Sequence, residues 1–150
     1  MKVSYKKFSK IFLDDVIELE KEWTNENITY GIEQSGRDYF LNSDKDFFYI
    51  ALDEEKVIAY ITCETVNNNE YNIFPRGSSY LRVNDIYVLK RYRNYGIGEK
   101  LLARIEKEAK KRGLKHIFLS TATKDTDSII RFYRRNGYTI WTTMLYKNTD

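Results

Sequence analysis

Residues 93–98 read Arg-Asn-Tyr-Gly-Ile-Gly, an R-x-x-G-x-G pattern between a strand-like run and an amphipathic helical run. The first turn of a helix has unpaired N–H groups and a partial positive charge, so it accepts an anion such as a phosphate. Glycines at 96 and 98 let the backbone approach phosphate oxygens with no Cβ in the way. Arg93 adds a charge-assisted donor. Two competing phosphate motifs do not fit. A dinucleotide fingerprint needs a third glycine where Leu101 stands, and a Walker loop needs Gly-Lys-Ser/Thr where the chain has Gly98-Glu99.

The elements around this pattern are predicted from spacing. Residues 80–88 form a strand, and Gly96 opens a helix to about residue 112 with Ile97, Leu101, Leu102, Ile105 and Ala109 on one face. Gly113 ends that helix as a left-handed cap. Upstream come a strand at 3–8 and a helix at 10–23, where Phe12, Val16, Leu19 and Trp23 recur at helical spacing. A short helix at 37–41 and a hairpin built from FFYIALD and VIAYITCETV follow. The polar stretch 67–78, with the only proline, reads as a long excursion and a candidate acceptor-binding element. Downstream lie a buried strand at 116–121, a helix at 125–135 stopped by Asn136-Gly137, and a last strand at 138–146. This order implies a mixed sheet with helices on both faces.

At 150 residues the chain reads as one domain. Its net charge of +3 is too small to make nucleic acid the default partner. Charge is unevenly placed: residues 90–112 hold nine basic and three acidic side chains, while residues 14–26 hold six acids and one Lys. An anionic ligand near the first stretch and a cationic one near the second would fit, although a solvated helix face accounts for either. Cys63 is the only cysteine and sits in a buried strand pattern, so it reads as a small core residue. The N-terminus lacks an apolar signal core, and no run approaches 18 apolar residues, so a cytoplasmic protein with no membrane partner is expected.

The stretch VNDIYVLKRYRNYGIGEKLL resembles the first signature of the GNAT superfamily of N-acetyltransferases, and SIIRFYRRNGY resembles its second. The order of elements matches over essentially the whole chain. The resemblance implies an α/β (α+β) fold, with a mixed, mostly antiparallel central sheet of six to seven strands and about four helices on both faces. It implies acetyl-CoA as cosubstrate, no metal, and transfer to a small amine or a peptide amino group by a monomer or homodimer. By the same resemblance, backbone groups of Ile86, Tyr87 and Val88 would meet the pantetheine arm and thioester, beside a slot where that strand splays from its neighbour. Arg93, Asn94, Tyr95, Gly96, Ile97, Gly98 and Glu99 would wrap the pyrophosphate. Tyr133 aligns with the tyrosine facing the thioester sulfur. Thr126 stands where relatives often have Asn, and either keeps a hydroxyl contact or loses one.

The chemistry implied is direct attack of a neutral amine on the thioester, with the N–H near Val88 as oxyanion donor. Tyr133 is the candidate acid, or an aromatic packing its helix onto the sheet. Asp85 is the candidate base, or a structural strand-end residue; Glu64 and Glu33 are further candidates, and His116 reads as a surface residue. A non-catalytic acyl-CoA-binding domain is the alternative function, and nucleic-acid binding through residues 90–112 a third.

Overall fold

The computed structural model describes residues 1–67, 71 and 73–150. The hairpin pattern becomes β2 (Phe48–Asp53) and β3 (Lys56–Val66), with Glu54 supplying a left-handed residue at the turn, φ 54°. Antiparallel pairing adds β1 (Val3–Lys7) beside β2 and β4 (Tyr80–Val88) beside β3, while β5 (Ile117–Phe118) joins β4 in parallel. Among the described residues four α-helices cover the sheet: α1 (Leu13–Glu26), α2 (Arg37–Asn42), α3 (Ile97–Lys111) and α4 (Thr126–Arg135).

Apolar periodicity explains which helix covers which face. The predicted stripe of α3 (Ile97, Leu101, Leu102, Ile105, Ala109) is buried with Ala59, Ile61, Leu81, Val83 and Tyr133. On the opposite face Val16 and Leu19 of α1 and Phe40 of α2 pack with Phe48, Ile50, Tyr60 and Tyr87. Burial of this kind stabilises by roughly 25 cal/mol per Å² of apolar surface removed from water, which is why both stripes must be covered. Cys63 is buried, and burial pushes its thiol up, in keeping with a core role.

One irregularity in β4 sets up the rest. Thr62 pairs with Asp85 but Cys63 pairs with Val83, so Asn84 is surplus on the β4 side. An extra residue breaks the two-residue alternation of a strand. Before it, Leu81 and Val83 face the α3 side; after it, Ile86 and Val88 do so, and Tyr87 faces α1. The bulge thereby turns Asp85 over, onto the face that α1 and α2 cover.

Pairing of β4 with β5 covers only Leu81 and Arg82. Beyond Arg82 that edge of β4 has no strand beside it among the described residues, and a cleft opens there.

The described residues contain five strands rather than six to seven. The predicted strand at 138–146 does not form, and the one predicted at 116–121 shrinks to Ile117–Phe118. So short a β5 offers little edge for a further strand to pair with. Trp141 instead packs by its ring, edge-on to Phe118 at 5.4 Å and to Tyr71 at 4.9 Å. The excursion expected at 67–78 lies partly outside the described residues. No helix among those described is long and apolar enough to cross a membrane.

Candidate active site

The chain leaves β4 at Val88, makes a 3-10 turn over Lys90–Tyr92 and enters α3 at Ile97. Asn94 (φ 66°) and Gly96 (φ 73°) both adopt the left-handed conformation. Such residues alternating with ordinary ones turn successive N–H groups toward a common point, a geometry that suits an anion. Among the described residues, none of the six consecutive amides 94–99 finds an acceptor, and no side chain caps α3. The first amide to be satisfied is that of Lys100, which donates to the Gly96 carbonyl at 3.1 Å.

Two residues of this loop have partners within the protein. Arg93 contributes neither its amide nor its side chain to that donor set. Its amide donates to the Lys90 carbonyl at 3.2 Å, its Nε to the Val88 carbonyl at 2.9 Å, and its two terminal nitrogens to Glu26 at 2.9 and 2.6 Å. A guanidinium held by both oxygens of a carboxylate is already neutralised. The second residue is Gly98. A Cβ there would sit 3.1 Å from Phe132 Cζ, so this glycine also makes room for α4. Gly96 keeps a conformational reason, since its positive φ strains other residues. The Glu99 carboxylate lies 3.8 Å from Arg135, both of them exposed, and only its amide belongs to the donor set.

A cleft of about 260 Å³ lies along the open part of β4. Its floor is residues 83–86; α1 supplies Glu20 and Trp23, and the opposite wall has Leu119, Ile129 and Tyr133. The walls meet where Thr29 bridges Thr123, with Tyr30 N–H donating to the Ala122 carbonyl at 2.9 Å. This cleft brings Asp85 and Tyr133 together.

Asp85 Oδ2 accepts from Thr62 Oγ1 at 2.9 Å and from the Tyr39 hydroxyl by a short bond. Burial raises the Asp85 carboxyl above its usual range, and the two donors oppose that rise. A carboxylate raised in this way is a better proton acceptor at neutral pH than an exposed one. Tyr133 is 7% exposed and packs edge-on to Phe132. Burial alone pushes its phenol up to about 12. Protonating a thiolate near 8.5 from such a phenol is uphill by about 5 kcal/mol, so Tyr133 suits hydrogen-bond donation better than full proton transfer.

The remaining expected residues separate. Leu89 N–H donates to the Ile58 carbonyl at 2.9 Å, so the alternation of an antiparallel ladder turns the backbone groups of Ile86 and Val88 to the open edge. The backbone of Tyr87 faces β3 instead, and its ring stacks on Trp23 at 5.3 Å. The Tyr87 hydroxyl donates to Glu26. The Thr126 hydroxyl turns to the Thr123 carbonyl at 3.5 Å. Of the lesser base candidates, Glu33 lines the cleft, while Glu64 is salt-bridged to Arg82. His116 stacks on Phe74 at 4.4 Å. Sequence reasoning missed Tyr39, Thr62, Glu20 and Glu26. The only signal for the two glutamates was the acid-rich stretch to which they belong.

The profile of the Acetyltransferase (GNAT) family matches residues 13–138. The chain belongs to that family. Membership makes it an N-acetyltransferase, and several solved structures share its fold. An Arabidopsis thaliana Naa50 bound to the bisubstrate analogue CoA-Ac-MVNAL is 20% identical, covers 96% of this GNAT chain and 87% of its own, and has a TM-score of 0.72. The aminoglycoside acetyltransferase meta-AAC0020, from an uncultured soil metagenomic sample and in complex with trehalose, is 17% identical over 99% and 97%, TM-score 0.72. A transcriptional regulator from Bacillus halodurans C-125 is 19% identical over 98% and 99%, TM-score 0.75. A search of curated proteins gives no significant match to this GNAT chain.

Proposed function

We propose that the protein transfers the acetyl group of acetyl-CoA to a primary amine by direct attack in a ternary complex. The observation that carries this reading is the run of six amides at 94–99 with no acceptor among the described residues, placed where the open edge of β4 leads into a cleft holding Asp85 and Tyr133. Backbone donors at a helix start suit a diphosphate, and a free strand edge suits an amide-bearing arm. That solved relatives of the same fold carry CoA bisubstrate analogues supports the same cosubstrate here.

In the reaction a nitrogen–carbon bond forms, the carbon–sulfur bond breaks, and the amine proton leaves. Asp85 takes that proton, directly or through a water. The Val88 N–H, turned to the open edge, donates to the developing oxyanion. Tyr133 donates a hydrogen bond to the departing thiolate, which is protonated to the thiol from solvent.

Thermal-shift titration with acetyl-CoA, followed by thiol release over mixed amines, tests the proposal. Stabilisation of roughly 3 kcal/mol is expected at a hundredfold excess over the dissociation constant. Binding without thiol release for any amine would favour a non-catalytic acyl-CoA-binding domain instead. Absence of any shift would remove the cosubstrate reading altogether.

A further inference from the structure

The charged residues that line the cleft beside β4 are, among those described, all acidic. Its described lining includes Glu20, Glu33 and Asp85 and no Lys, Arg or His. Glu20 stands apart from the other two. It is 3% exposed; its Oε1 accepts from the Ser35 amide at 2.9 Å, and its Oε2 is buried with no hydrogen-bond partner among the described residues. A buried carboxylate oxygen without a donor is costly, the more so for a charged group. Trp23, one turn further along α1, lines the same cleft. An aromatic ring beside a carboxylate is a setting in which an ammonium group is well held.

The attacking nitrogen cannot be the group that Glu20 holds. It must be neutral to attack and becomes an amide, so a carboxylate paired with it would lose its partner as the reaction proceeds. Asp85, raised by burial and flanked by Tyr39, is placed to take that proton. Glu20 remains for a cation that does not react. The cleft volume, about 260 Å³, is slightly below the ~300–1,000 Å³ of drug-sized pockets, which suits a short chain.

We infer that the acceptor carries a second ammonium group: a short diamine, or the diamine end of a longer polyamine, with its non-reacting nitrogen on Glu20 Oε2. The inference rests on the transfer reading above for its reacting end, but its binding arm can be tested alone.

Calorimetric titration of the purified protein with 1,4-diaminobutane and with butylamine compares two cations of similar length. Diamine binding at least tenfold tighter is expected, and Glu20→Gln should bring the ratio close to one. The glutamine keeps an oxygen for the Ser35 amide, and its melting temperature checks that it folds; the wild-type comparison decides the matter even if it does not. With acetyl-CoA present, mass spectrometry should find the diamine acetylated once only, because the product has lost its second charge. Equal binding of the two amines by the wild-type protein overturns the inference while leaving acetyl transfer standing. Preferential diamine binding without thiol release has the opposite consequence: it leaves the Glu20 site in place and removes the transfer reading.

Discussion

Glu26 holds the Arg93 guanidinium with both carboxylate oxygens, at 2.9 and 2.6 Å, and so ties the end of α1 to the turn that follows β4. Arg93 Nε in turn reaches the Val88 carbonyl at 2.9 Å. Glu26→Gln weakens both links at once. Unfolding in urea should show a loss of about 2 kcal/mol, the scale of hydrogen bonds to charged groups. Acetyl-CoA affinity should fall severalfold as the turn loosens. An unchanged midpoint and unchanged affinity would mean that Arg93 has no positioning role.

Gly96 and Gly98 have different reasons to be glycine, and substitution should separate them. Gly98→Ala puts a methyl 3.1 Å from Phe132 Cζ, so the Phe132 ring must give by a few tenths of an ångström, and overpacking there should cost about 1–3 kcal/mol of stability. Gly96→Ala meets only Glu99 Oε2 at 3.7 Å, but strains a φ of +73°. It should weaken acetyl-CoA more than it weakens the fold. Calorimetric binding alongside chemical denaturation distinguishes the two; identical behaviour of both variants would refute this division.

Tyr133→Phe should lower turnover roughly 10- to 1000-fold with the KM for acetyl-CoA little changed. With its phenol pushed up to about 12, Tyr133 stays protonated across the working range and gives no alkaline limb below about pH 11. Wild-type turnover in the variant would leave this ring only its packing role.

Asp85 couples activity to stability in opposite directions. Its carboxyl is raised in the folded state, so the stability it confers is present below the unfolded value near 3.9 and is lost as pH rises through the folded value. Asp85→Asn escapes that loss, so its stability relative to wild type should improve as pH rises through this window and then level off. Activity should fall and lose its acid limb. A stability difference that stays flat with pH would show that burial does not raise this carboxyl.

Tyr39→Phe removes a donor that holds the Asp85 carboxyl down. The acid limb of kcat/KM should therefore move to higher pH. A limb that stays in place, with only the rate changed, would assign Tyr39 to packing alone.

Elements with local signals were legible in the sequence. The face of α3, the extent of β4 and the helix start at Gly96 all follow from spacing and glycine chemistry within about twenty residues, and each formed as expected. The partners of the candidate site residues were not legible. Tyr39 meets Asp85 across 46 positions and Glu26 meets Arg93 across 67, and no periodicity encodes such meetings. The surplus Asn84 was equally silent, because a bulge shows only in pairing register. The tail misled for a related reason. Its aromatic and β-branched residues suit a strand, but a strand also needs an edge to join, and β5 is two residues long.

With Asn84 inserted, β4 behaves as two half-strands soldered back to front. The first half gives its apolar side to α3, and the second presents that helix with Ile86 and Val88 while showing Asp85 to α1 and α2. In the proposed reaction, nucleotide grip and acceptor chemistry thus share one ribbon of backbone whose two halves face different helices. Among the described residues only Glu26, at the end of α1, crosses by hydrogen bonds from one side to the other, so the rest of α1 and α2 can vary without touching that link to the turn that follows β4.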